Sequence, residues 1–172
     1  MSILQFPSTS PREEVFSSIE NYLADAGFTV VSKDFTRPWG GFFVLDETQV
    51  PSFIETFFPH LSLADFEGFD KLSPKILIVA PEKRLSWQYH HRRAEIWKVI
   101  GGEAGVVISD TDEETSVTPL SVGTVIHLNQ GERHRLVGLS TYGVVAEIWK
   151  HTDKENPSDE EDIVRVQDDF GR

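Results

Sequence analysis

The hydrophobic pattern changes period once along the chain. Near the N-terminus Val15, Ile19 and Leu23 recur every four residues, the repeat that lines one face of an α-helix. Ser10, Pro11 and Glu13 read as a helix start, with Ser as N-cap, Pro at the first helical position and Glu three residues after the cap, and Gly27 reads as the stop. One amphipathic helix over about 11–26 is expected. From Phe28 onward the apolar residues fall into short or alternating runs separated by turn residues, the signature of an antiparallel barrel or sandwich. The runs predict strands at 28–33, 41–45, 75–80, 84–91, 95–100, 103–109, 115–118, 124–128, 134–138 and 143–150. Gly101-Gly102 reads as a hairpin and Asp110 to Glu114 as an exposed turn.

Two stretches break this rhythm. Residues 50–70 carry Phe53, Phe57, Phe58 and Phe66 at a period that suits short helices or a packed loop; a cap over one end of the barrel is the expectation and a substrate lid the alternative. Residues 151–162 are dominated by charge and contain Pro157, so a solvated linker is expected. A single domain over 1–172 results, with a helical extension at 1–27, a barrel at 28–150 and a charged tail at 151–172.

Composition narrows the partners. No run approaches the ~20 apolar residues a membrane span needs, and the polar N-terminus lacks the early basic cluster of a signal peptide. With no cysteine there is no disulfide framework, and a cytoplasmic location is the expectation. A formal net charge of −12 argues against nucleic acid and anionic membranes, which both demand positive charge. Residues 71–100 nevertheless hold seven Lys or Arg against two acids, whereas Asp153 to Arg172 hold eight acids against three bases. Such a basic stretch suits capture of a phosphorylated small molecule, or else balances the acidic tail.

The candidate chemistry lies in QYHHRRAE at 88–95 and QGERH at 130–134. On a strand Gln88 and His90 share a face and His91 takes the other, while Glu95 needs a tight turn around Arg92 to Ala94 to reach the same face from a neighbouring strand. His134 would arrive from a separate hairpin as the fourth ligand. Imidazole, carboxylate and amide oxygen suit a divalent ion, zinc first, with manganese, iron or nickel also possible, and the absence of thiolate argues for a site with an open position. His127 has the parity of a core histidine, and His60 and His151 carry no signal.

These motifs resemble the cupin superfamily, whose first motif runs His-x-His, three or four residues, Glu, six residues, Gly, and whose second ends Pro-x-Gly-x-x-His. The resemblance is to the C-terminal domain of type II phosphomannose isomerases, which place Gln at the first His. It is carried by RPWGGFFVLDE at 37–47, RLSWQYHHRRAEIWKVIGG at 84–102, GTVIHLNQGERHRL at 123–136 and EDIVRVQDDFGR at 161–172. The chain departs from the pattern at Glu82 (usually Gly), Asn129 (usually Pro), Arg92 (usually His) and Phe170 (usually Tyr).

The resemblance implies an all-β cupin jelly-roll barrel with one N-terminal helix, and a metal-dependent aldose–ketose isomerase of a sugar phosphate, mannose 6-phosphate and fructose 6-phosphate first. Another phosphorylated sugar such as a heptose phosphate, or a non-catalytic sugar-binding cupin, are the alternative readings. Gln88, His90, Glu95 and His134 are the expected ligands. Arg135 and Arg172 are candidates for phosphate or sugar oxygens, because a guanidinium grips oxyanions with two N–H groups, and Arg93 is a further one. Lys75, Glu147 and Asp169 are candidate bases, Lys75 also a phosphate contact, and Trp39 a candidate sugar contact. A homodimer is expected from barrel edges.

Overall fold

A computed structural model describes residues 4–66 and 68–171. Helix α1, Arg12–Asp25, buries Val15, Phe16, Ile19 and Leu23, with Pro11 as N-cap one residue later than expected. It ends as the sequence suggests. Gly27 takes φ +88°, its N–H donates to Ala24, and the N–H of Phe28 reaches back to Leu23 at 2.9 Å, so a left-handed glycine closes the last turn. The Arg12 guanidinium donates to the carbonyls of Phe35, Arg37 and Gly40, tying α1 to the hairpin of strands β1, Val30–Arg37, and β2, Gly40–Leu45.

The remaining strands are β3, Lys75–Val79; β4, Trp87–Tyr89; β5, Arg93–Ser109; β6, Thr118–Leu120; β7, Val125–Leu128; β8, Arg133–His151; and β9, Val164–Gln167. All pairings are antiparallel. The order is β1-β2-β3-β8-β4-β9, while β5 runs along most of β8 and also carries β6 and β7. The expected jelly-roll barrel is what forms. Strand β3 and most of β8 are buried on both faces, so strand parity decides which core a residue joins. Ile76 and Ile78 of β3 and Val144, Ala146 and Ile148 of β8 join Phe43, α1 and the phenylalanines of residues 50–66 on the outer face. Leu77 and Val79 of β3, Val145 of β8 and Trp97 and Val99 of β5 fill the barrel interior with Leu128 and Leu136.

Several expectations need correction. The predicted runs 95–100 and 103–109 are one strand, β5, and 134–138 and 143–150 are one strand, β8. Gly101-Gly102 is therefore not a hairpin: Gly102 faces Gly143 across the ladder, with register shifts on both sides of the glycine pair. A Cβ on Gly102, whose φ is +63°, would lie 1.8 Å from the Tyr142 carbonyl oxygen. The glycines let two long strands bend together at close approach, a need that in sequence looks the same as a turn.

Residues 50–70 form α2, Val50–Phe57, and a 3-10 turn at Leu63–Phe66. Phe53 meets Phe28 and Phe57 edge-on and Phe58 at a tilt, within the core shared with α1, so this segment covers the outer face of the sheet beside α1 and does not cap a barrel end. The predicted linker at 151–162 holds no helix or strand after His151 and is mostly exposed, as expected, but it is pinned to the barrel and leads into a strand. Ser158 and Asp162 are buried, and β9 pairs with β4. Among the described residues no helix is long and apolar enough to cross a membrane.

Substituting Gly102→Ala forces a left-handed alanine against a carbonyl and should cost about 2–4 kcal/mol, read as a lower midpoint in urea unfolding. A loss under about 0.5 kcal/mol would contradict the close approach.

Candidate metal centre

Three buried side chains meet at one end of the barrel. His90 follows β4, Glu95 lies near the start of β5 and His134 near the start of β8, and one donor atom from each lies within 4.8 Å of the other two. His90 Nε2 is 3.0 Å from Glu95 Oε1, and His134 Nε2 is 3.4 Å from Glu95 Oε2. Each ring is oriented by a backbone carbonyl: His90 Nδ1 donates to Asp162 O at 2.6 Å and His134 Nδ1 to Glu132 O at 3.0 Å. A carbonyl only accepts, so Nδ1 carries the proton and Nε2 presents its lone pair to Glu95 in the neutral ring.

That geometry asks for a cation. Glu95 Oε2 and His134 Nε2 are buried without a hydrogen-bond partner, and a lone pair facing a carboxylate oxygen is repulsive unless positive charge lies between them. Two imidazoles and a carboxylate in one buried cluster are a donor set for a divalent ion, so these residues fit a metal. Arg93 supplies part of the demand. Its Nε donates to Glu95 Oε1 at 3.1 Å and its Nη2 lies 3.4 Å from His90 Nε2. Burial by itself would raise the Glu95 carboxyl, yet when protons on the two imidazoles stand in for the ion, the charge on His90, hydrogen bonds from both rings and the Arg93 guanidinium hold it well below the usual carboxylate range. Burial works to lower His134, but the facing Glu95 carboxylate outweighs it and the net shift is upward.

Parity explains the neighbourhood. Lys75, Glu147 and Trp97 stand side by side on β3, β8 and β5, in register and on the interior face. With Trp39, Gln88, Arg93 and Glu95 they line a cavity of about 190 Å³. Trp97 Nε1 donates to Glu147 Oε2 at 2.8 Å. Burial and the nearby Glu95 charge push the Glu147 carboxyl up to about 7, against the pull of Lys75, Arg93 and Trp97. Trp39 brings a buried indole N–H with no partner to the same wall.

The predicted residues divide accordingly. His90, Glu95 and His134 converge; Gln88 faces His134 across the β4–β8 pairing on the cavity wall, its amide oxygen accepting from Ser86 at 2.6 Å. Lys75, Arg93, Glu147 and Trp39 line the cavity, although Lys75 is paired with Glu160 at 3.0 Å and Arg93 is committed to Glu95, Ser158 and Asp159. Arg135 and Asp169 are not brought to the cavity. Arg135 follows His134 and so points to the opposite face, fully buried, bonding the Leu85 carbonyl and Glu114; Asp169 pairs with Arg84 at 2.6 Å. Arg172 lies outside the described residues. His91 is exposed and turned from the cluster as expected, and His127 is an exposed surface residue, not a core histidine. The basic stretch is largely balanced by the tail: Lys71 and Lys75 meet Glu160, Arg84 meets Asp169 and Arg92 meets Asp159. Sequence reasoning missed Asp162, whose carboxylate accepts from the N–H groups of His91 at 2.9 Å and Arg92 at 3.0 Å. A lone Asp in an acidic run carries no signal of such a role. Trp97 was legible, being two residues from Glu95 on the same face.

Comparison with protein families matches residues 48–168 to the family described as mannose-6-phosphate isomerase C-terminal. No curated protein matches. Among solved structures, the capsular polysaccharide assembling protein CapF from Staphylococcus aureus aligns with a TM-score of 0.52 at 15% identity over 78% of this chain and 33% of its own. This chain thus spans about a third of that protein's length, and the likeness is one of fold alone. A Cupin 2 conserved barrel domain protein from Salinispora arenicola aligns at TM-score 0.39 and 25% identity, over 45% of this chain and 61% of its own. A sugar phosphate isomerase from a cupin superfamily of Silicibacter pomeroyi aligns at 0.41 and 15%, over 48% and 52%. At those scores the last two say nothing of the chemistry here.

Glu147 makes a sign-definite prediction for the metal-free protein. Folded, it keeps its proton to about pH 7, whereas a glutamic acid in the unfolded chain releases it near 4.5, so between these pH values the unfolded state binds fewer protons and rising pH favours unfolding. Thermal unfolding from pH 5 to pH 8 should show Glu147→Gln gaining stability over the parent as pH rises; parallel curves for the two proteins would refute the assigned burial.

Proposed function

The chain belongs to the mannose-6-phosphate isomerase C-terminal family of cupins, and on that premise we propose that it is a metal-dependent aldose–ketose isomerase of a sugar phosphate. Mannose 6-phosphate and fructose 6-phosphate are the first pair to test. The observation that carries the reading is the convergence of His90, Glu95 and His134, with two buried donor atoms unpartnered, beside a cavity that Glu95 lines together with Glu147, a carboxyl poised near neutrality.

A divalent ion held by His90, Glu95 and His134, zinc first and manganese, iron or nickel by the same donor set, would supply Lewis-acid polarisation of the sugar's C1 and C2 oxygens. The chain's own residues do the rest. Isomerisation takes a proton from one of these carbons and returns it to the other through an enediol, and a carboxyl with a pKa of about 7 both accepts and donates at neutral pH. Glu147 is that group in this reading. Trp97 holds one of its oxygens, which fixes the direction of transfer. Lys75, its neighbour across the ladder, places an ammonium on the cavity wall to meet the anionic end of the substrate, with Glu160 as the competitor to be displaced. The Trp39 indole N–H is a donor for a sugar oxygen. Arg93, stacked 3.9 Å over the Trp149 ring, keeps Glu95 in place.

His134→Ala should abolish both zinc retention and the conversion of mannose 6-phosphate followed by NMR; full turnover in the metal-stripped variant would sink the mechanism. Glu147→Gln should keep the metal and lower kcat by about 10²–10⁴-fold, the usual contribution of a positioned acid–base group. Unchanged kcat would remove Glu147 from the proton transfer.

A further inference from the structure

We propose that Asp162 is a positioning residue through which the tail segment 157–163 and metal retention by His90 and Glu95 become one cooperative unit, an inference that rests on the metal reading above. Asp162 is 5% exposed and acts at two levels. Its backbone carbonyl receives His90 Nδ1–H at 2.6 Å and so aims Nε2 at Glu95. Its carboxylate receives the N–H of His91 at 2.9 Å and of Arg92 at 3.0 Å, the two residues that turn the chain from His90 into β5. One residue thus orients a ligand ring and shapes the turn that brings Glu95 against it.

The segment is anchored from both sides. Ser158 Oγ donates to Asp162 Oδ2 at 2.6 Å, and the Ser158 N–H donates to His151 Nδ1 at 2.9 Å. Arg93, which holds Glu95, also donates to Ser158 Oγ and to the Asp159 carbonyl, each at 2.9 Å. The segment therefore touches one ligand through Asp162 and another through Arg93, and its residues Glu160 and Ile163 form part of the cavity wall. Docking of the segment organises the ligands. By reciprocity, an ion on those ligands must hold the segment down by the same free energy.

The test uses the full chain, stripped of metal and titrated with zinc chloride. Asp162→Ala keeps the carbonyl that meets His90 but removes the carboxylate that holds the His91–Arg92 turn and Ser158, and should weaken zinc binding, measured by calorimetry, by about 10–100-fold, the usual effect of losing an outer partner of a ligand set. In the unaltered chain, zinc should slow hydrogen–deuterium exchange of residues 151–163 by at least about fivefold. A folded Asp162→Ala variant that binds zinc within about threefold of the parent, or exchange in 151–163 that zinc leaves unchanged, overturns the proposal. Should the variant not fold, the exchange measurement on the unaltered chain decides alone. A parent that binds neither zinc nor manganese, iron or nickel offered in its place defeats the isomerase reading as well as this one, whereas tight binding with an unaffected variant defeats only this one.

Discussion

Three electron-pair donors pointed at one another in a dry interior cannot be left without positive charge. A buried polar group lacking a partner costs about 1–3 kcal/mol, more when it is charged, and Glu95 and His134 each leave one such atom. Carbonyls from Asp162 and Glu132 occupy the far nitrogens of both imidazoles, so the rings cannot rotate away from the conflict, and Arg93 offsets only part of it. The cluster makes physical sense as a site held ready for a cation. Much of the surrounding arrangement follows from keeping it so.

The fold provides that readiness through strands that are buried on both faces. On β3 and β8 alternate residues serve two cores, one against α1 and α2 and one inside the barrel, so a single register step decides whether a side chain packs under the helices or faces the cavity. Lys75, Glu147, Trp97 and Glu95 lie on the inner face by that rule, and the ladder aligns the first three across adjacent strands. The bend at Gly102 and Gly143 allows β5 and β8 to contribute to both walls, which brings Glu95 from the first half of one and His134 from the first half of the other into contact. The tail closes the arrangement by threading Asp162 behind the turn and laying β9 along β4.

Much of this was legible because it depends on period and local chemistry. The i, i+4 apolar repeat with Gly27 after it located α1, alternation located most strands, and the spacing of His90, Glu95 and His134 located the cluster. What sequence reasoning lost depends on long-range contact. Gly101-Gly102 satisfies the requirements of a turn and of a close strand approach equally well, and only the partner strand distinguishes them. Arg135 attracted attention by standing next to His134, although period-two alternation puts adjacent residues on opposite faces, where the Leu85 carbonyl and Glu114 receive it. The tail looks hydrophilic in composition, yet Glu160, Asp169 and Asp159 pair with Lys75, Arg84 and Arg92, and burial of Asp162 is compensated by the Ser158 hydroxyl and two backbone amides. The phenylalanines of 50–66 announced burial but not which surface they cover, since the outer sheet face and a barrel end make the same demand on sequence.

Elemental analysis of the purified chain tests the central claim most directly. About one divalent transition-metal ion per chain, lost together with any one of the His90, Glu95 and His134 side chains, is the predicted result. Protein that carries no such ion, and takes none up when zinc, manganese, iron and nickel are offered in turn, would contradict the account.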